Sequence, residues 1–191
     1  MKKTLLILIL TSNVFCAIAQ NAPKDSSLKS LTKLDLGLQG VGFSYEPRLS
    51  NKLTIDFSAG AGGGYDISEG SLSYKWPLLQ PALYFMVTPK FYYNRKKRIA
   101  KGKNFQNNAG NYLGLRLKYT TENNTSDYSS QVYQSGLINL HWGMQRSISN
   151  KWILNAHAGA GYAADIGSGW GTIYPAVELK FSYLFKKSNA Q

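Results

Sequence analysis

The sequence predicts an all-β chain, a single eight-stranded antiparallel up-and-down transmembrane β-barrel. Three observations predict it: a strict two-residue rhythm of apolar side chains, large rings gathered at segment ends, and an export signal at the start. In Leu113, Leu115, Leu117 and Tyr119 every second side chain is apolar, with Gly114, Arg116 and Lys118 between them. Val177, Leu179, Phe181, Tyr183 and Phe185 repeat the pattern around Glu178, Lys180 and Ser182. Successive side chains of a strand point to opposite faces, so each segment has one oily and one polar face. A soluble sandwich turns the oily face inward, whereas a membrane barrel turns it to lipid and keeps polar groups inside.

Taken in order, residues 1–19 read as a secretory signal. Lys2 and Lys3 precede the apolar run Leu5–Leu10, and Ala17-Ile18-Ala19 supplies a small-x-small cleavage motif. Cys16 would suit a lipidated start only if small residues preceded it, and Asn13-Val14-Phe15 are too bulky. Residues 20–32 lack a period and read as a flexible leader, 33–186 as the barrel, and 187–191 as a polar tail. Leu34, Leu36 and Leu38 alternate, the phase slips across Gly40 and Gly42, and Val41, Phe43 and Tyr45 resume it. Such a slip marks either a bulge in one long strand or a turn between two short ones.

The next strand carries Leu53, Ile55, Phe57, Ala59, Ala61 and Tyr65 on one face. Residues 66–73 read as a polar loop. Pro77 and Pro81 interrupt the following apolar stretch, so pairing is expected only from near Ala82. Residues 89–109 form the longest connection. Residues 111–121, 132–147, 151–163 and 173–185 complete the strands, joined by loops at 122–130 and 165–172 and a turn at Ser149-Asn150. Even strand numbers are the rule for single-chain bacterial barrels, which selects eight over seven.

Ring placement separates membrane barrel from sandwich. Trp142 and Trp152 flank one tight turn, and Tyr162, Trp170 and Tyr174 flank the opposite loop, while Ala156, Ala158 and Ala160 occupy a strand middle. Amphipathic rings at two levels suit the two water–lipid boundaries. The 191 residues include 22 Lys and Arg against 10 Asp and Glu. Removal of Lys2 and Lys3 with the signal leaves a formal charge of about +10 on the mature chain. In an exported protein the counterpart of that charge is outer-membrane lipid or an acidic partner, and no nucleic acid is expected. Cleavage would also remove the single Cys.

Strand phase places Asp56, Arg116, Lys118, Asn139, His141, Asn155, His157, Glu178 and Lys180 inside. An eight-stranded barrel is just wide enough for its own side chains to fill it. Buried charges need partners, so Asp56 and Glu178 are expected to pair with Arg116, Lys118 and Lys180 in a plug-like interior network. The sharper alternative is a hydrolytic triad of His141, Glu178 and Ser182 in a barrel enzyme acting on lipid or glycolipid. No local motif supports it, and two His without Cys or clustered carboxylates make a poor metal site. No metal, cofactor or catalytic residue is expected. The glycine-rich runs 59–64 and 158–161 lack the Lys-Ser/Thr and following helix of a phosphate loop, and read as room for bulky neighbours.

Lys90, Arg95, Lys96, Lys97, Arg98, Lys101 and Lys103 crowd one connection without an acidic residue, just after Phe91-Tyr92-Tyr93. They read as an interfacial basic patch for anionic head groups, with rings at the boundary and cations beyond it. With both termini periplasmic, this patch is periplasmic, open also to a periplasmic protein or cell-wall partner. The loops at 66–73, 122–130 and 165–172 then face outward.

Tyr92-Tyr93-Asn94-Arg95-Lys96-Lys97-Arg98, Lys101-Gly102-Lys103-Asn104 and Gly110-Asn111-Tyr112-Leu113, with Gly42-Phe43-Ser44-Tyr45-Glu46 and Lys52-Leu53-Thr54, give the chain its resemblance. It is similar to the small outer-membrane β-barrel proteins of the Bacteroidota. The resemblance implies an eight-stranded outer-membrane barrel and brings no catalytic residues. Tyr183 or Phe185 corresponds to the terminal aromatic insertion signal, although six residues follow Phe185. The expectation is a monomeric outer-membrane barrel with a structural or accessory envelope role and no enzymatic activity. The alternatives are the lipid-modifying enzyme and a soluble periplasmic barrel binding a hydrophobic ligand.

Overall fold

The structure, a computed structural model, describes residues 27–68, 71–125 and 127–188. The signal at 1–19 and the first part of the leader lie outside the described residues. Eight strands close a barrel: β1 (Ser30–Gly37), β2 (Gly40–Glu46), β3 (Leu53–Gly62), β6 (Ala82–Tyr92), β7 (Gly110–Thr120), β8 (Ser135–Ser147), β9 (Trp152–Asp165) and β10 (Gly171–Ser188). Each pairs antiparallel with its neighbours, and β10 returns to β1. β4 (Gly64–Ser68) and β5 (Ser71–Lys75) form a separate two-stranded hairpin between β3 and β6. No helix among the described residues is long and apolar enough to cross a membrane. One short helix, α1 (Arg95–Ala100), follows β6.

The phase slip at Gly40 is a turn. Leu38 and Gln39 connect β1 to β2, Gly37 faces Gly40, and Gly40 takes φ +122°. That backbone conformation suits glycine alone among ordinary residues.

Alternation along the strands decides the barrel's polarity. Leu115, Leu140 and Phe181 are 42%, 65% and 41% exposed, while Arg116 and Glu178 are 6% and 2% exposed. Apolar side chains therefore cover the outer wall and charged ones fill the lumen. Rings mark both rims of that wall: Tyr93, Trp142 and Trp152 near the end that carries the termini, and Trp76, Tyr162 and Trp170 near the other.

Both ends of the lumen are closed. At the terminal end Leu28, Tyr92 and Tyr112 form a buried cluster. Asn107 and Asn108, both left-handed, tie the surrounding segments together. Asn108 exchanges two 2.8 Å hydrogen bonds with the Lys29 backbone, and the Asn107 amide donates to Ser147 Oγ and to the carbonyls of Ser149 and Asn150. At the other end the β4–β5 hairpin folds over the mouth. Ile67 is buried against Leu137, Ala163, Tyr174 and Ala176, with Tyr65 and Leu72 packed alongside.

Four boundaries correct the sequence reading. β1 begins at Ser30 and Leu28 is buried, so the leader ends before residue 32. β10 continues to Ser188, past the expected start of the tail. The stretch read as a loop at 66–73 lies within the β4–β5 hairpin. β6 continues through Pro89 to Tyr92, because the β6–β7 ladder breaks between Val87 and Lys90, where a residue without an N–H costs no bond. The expected start of pairing near Ala82 coincides with the first residue of β6.

Candidate functional site

The lumen holds five cations, Lys33, Lys90, Arg116, Lys118 and Lys180, against four carboxylates, Asp35, Glu46, Asp56 and Glu178, all buried among the described residues. Three groups hold all of these charges except that of Lys118. Nearest the terminal end, Lys33 and Lys90 each reach both Glu46 and Asp56, at 2.6 and 3.0 Å for Lys33 and at 3.1 and 2.6 Å for Lys90. Thr54 and Tyr92 donate to the second oxygen of Glu46, at 3.0 and 3.2 Å. Across the seam, Lys180 and Ser182 of β10 both bond Asp35 of β1, at 2.8 and 2.6 Å. Joining β7 to β10, Arg116 meets Glu178 at 2.7 Å. Two ammonium groups between two carboxylates satisfy the rule that a buried charge must be paired.

The histidines sit beside the last pair. His141 Nδ1 donates to Asn139 Oδ1 at 2.7 Å, and its ring stacks on His157 with centroids 4.0 Å apart. His157 Nδ1 lies 3.5 Å from Glu178. Glycines make the space: a Cβ on Gly114 would stand 2.3 Å from His141 Nε2, and one on Gly143 would stand 2.3 Å from the Tyr112 ring. Ser182 donates to Asp35, not to His141, so the base–nucleophile contact of the triad alternative is not made. No three His, Cys, Asp or Glu side chains among the described residues converge as a metal-ligand set.

The structure brings Asp56, Arg116, Lys118, His141, His157, Glu178 and Lys180, with Asn139 and Asn155, into one lumen. Their pairing differs from the expectation in two places. Asp56 takes Lys33 and Lys90, with Lys180 only at 4.0 Å. Lys118 bonds the Gln39 side-chain oxygen and lies over the rings of Tyr65 and Tyr84, 5.6 and 5.3 Å from their centroids. Lys33, Asp35 and Glu46 were absent from the expected set. Their signal was present, since they alternate with Leu34, Leu36 and Tyr45.

The basic patch divides. Lys90 leaves it altogether, because β6 extends through Pro89 and turns this side chain into the lumen. Arg95 leaves it too: buried at the first position of α1, it donates to the carbonyls of Phe105 and Ala109, both at 3.2 Å. Burial holds its guanidinium below the usual arginine pKa. Lys96, Lys97, Arg98, Lys101 and Lys103 remain around α1 at the terminal end of the barrel. Lys97, Arg98, Lys101 and Lys103 join Arg146, which the sequence reading did not include, around a cleft of about 240 Å³.

No protein-family model matches the sequence, and no curated protein matches it. Among solved structures, the chain is similar to the outer membrane protein AlkL, determined by solid-state NMR in DMPC lipid bilayers. The two share 12% identity over 91% of this chain and 97% of that one, with a TM-score of 0.42.

Proposed function

We propose that the chain is a monomeric outer-membrane barrel with a filled lumen, serving a structural or accessory role in the cell envelope without catalytic activity. The observation that carries this reading is the inverted burial of its strands: Leu115, Leu140 and Phe181 lie outside while Arg116 and Glu178 are sealed inside. In water such a wall would expose apolar surface far beyond the few hundred Å² a soluble monomer tolerates. In a bilayer the same wall is solvated by acyl chains. A groove of about 770 Å³ on this wall, among Phe43, Phe57, Phe85 and Leu117, offers further apolar surface to lipid.

The paired charges and the two closed ends support a plug rather than a pore. The Ser182–Asp35 bond counts against the hydrolase alternative. The polar packing of the lumen counts against an internal hydrophobic-ligand site. Bilayer lipid is the proposed partner, with a periplasmic protein or cell-wall component at the basic end. The test is membrane extraction combined with planar-bilayer recording. Retention in the pellet after carbonate washing, with no steady conductance, is expected. Release into the supernatant would overturn the membrane reading, and a steady open conductance would overturn the plug.

A further inference from the structure

We infer that the cleft between α1 and the ends of β7 and β8 is a binding site for the anionic phosphodiester head group of a membrane lipid. This rests on the membrane reading and names the ligand of its basic end.

The first argument is charge without compensation. Lys97, Arg98, Lys101, Lys103 and Arg146 line the cleft, and none forms an ion pair among the described residues. The two guanidinium groups are held in place by neutral acceptors. Arg146 donates to the carbonyls of Gly110 and Gln145 at 3.0 and 2.8 Å and to Asn111 Oδ1 at 2.6 Å. Arg98 donates to the Asn104 carbonyl at 2.8 Å, while its buried Nε has no hydrogen-bond partner. Each group is thus oriented without losing its charge, and a guanidinium has five donors, enough to keep some for an oxyanion.

The second argument is height on the wall. The outward positions of β7 run Leu117, Leu115, Leu113 and then Asn111. Those of β8 run Ile138, Leu140, Trp142, Met144 and then Arg146. The apolar strip therefore ends where the cleft begins. Trp142 Nε1 donates to Tyr93 Oη at 2.6 Å on that border, the level at which amphipathic rings meet head groups. A lipid whose phosphate sits in the cleft can lay its chains along Leu113 and Trp142. A free anion would gain nothing from this continuity, and a choline head group would bring its own cation against five others.

The experiment is native mass spectrometry of the full mature chain released from bilayers holding equal parts phosphatidylglycerol and phosphatidylcholine. Surface cations are each worth about fivefold in binding to anionic lipid, so wild type should retain phosphatidylglycerol at least about fivefold over phosphatidylcholine. R98Q/R146Q should lose that preference. K97Q/K101Q/K103Q, which touches only exposed side chains, should lose most of it and guards against misfolding of the first variant. K52Q and K151Q, at the same end but outside the cleft, should keep it. Excess inorganic phosphate should leave the lipid bound; its displacement would reassign the cleft to free anions and overturn the lipid assignment. Equal retention of both lipids by wild type would also overturn it. Failure of the chain to float with vesicles would instead overturn the membrane reading itself.

Discussion

The Lys118 ammonium donates a hydrogen bond to the Gln39 side-chain oxygen at the hairpin end of the lumen, and no carboxylate lies within ion-pairing distance of it among the described residues. The other four lumen cations each touch at least one carboxylate. Its surroundings are the Tyr65 and Tyr84 rings, whose faces attract a cation but do not neutralise it.

Replacing that unpaired charge should therefore help the fold. Lys118→Met is expected to raise unfolding stability by about 1–2 kcal/mol, within the range seen when buried ionic groups give way to apolar ones. Lys33→Met should do the reverse, because Lys90 would then be the one close cation for both Glu46 and Asp56, with Lys180 at 4.0 Å from Asp56. A loss of about 3–5 kcal/mol is expected. Urea titration of tryptophan fluorescence in lipid bilayers measures both, and a stabilised Lys33→Met would refute the pairing scheme.

The Arg116–Glu178 pair invites a double-mutant cycle. Arg116→Leu and Glu178→Leu alone should each cost about 3–5 kcal/mol, since each strands one buried charge. The double substitution should recover most of that loss. Additive losses in the cycle would mean that the two groups do not compensate each other.

Glycines opposite lumen rings should resist even a methyl group. Gly143→Ala would press its Cβ on the Tyr112 ring and is expected to cost about 1–3 kcal/mol. Gly136→Ala, where a Cβ meets nothing within 4 Å, should be neutral. Equal effects in the same titration would exclude this account of the glycines.

The β4–β5 hairpin should act as the stopper of the mouth away from the termini. Ile67→Asp places a charge among Leu137, Tyr174 and Ala176 and should release the hairpin from the lumen. Faster protease cleavage within 64–75 is expected while the barrel keeps its compact, heat-modifiable gel migration. An unchanged cleavage rate would show that Ile67 does not hold the hairpin down.

Strands whose outer faces are continuous, such as 113–119 and 177–185, were readable because apolar side chains recur at every second place without a break. Lys90 was hidden by Pro89, which reads as a strand breaker unless the pattern of ladder bonds around it is known. The hairpin at 64–75 was hidden by Asp66, Ser71 and Ser73, which mask the spacing of Tyr65 with Ile67 and of Leu72 with Tyr74. The interior residues followed from phase, but their partners did not. Which carboxylate Lys180 meets depends on how β10 aligns with β1, and a β-bulge between Thr32 and Lys33 shifts that alignment. Arg146 was missed because it stands some 43 residues after the basic run in sequence and joins it only through the β7–β8 pairing.

Asp35 gives barrel closure an electrostatic incentive. Its carboxylate sits on the first strand, and both groups that bond it, Lys180 and Ser182, arrive with the last. A half-assembled sheet without β1 and β10 lacks both sides of that contact, and a complete but unclosed sheet exposes it as an unmatched pair of edges. Asp35 thus finds its cation only where the first and last strands meet, so this buried ion pair forms as the circle closes.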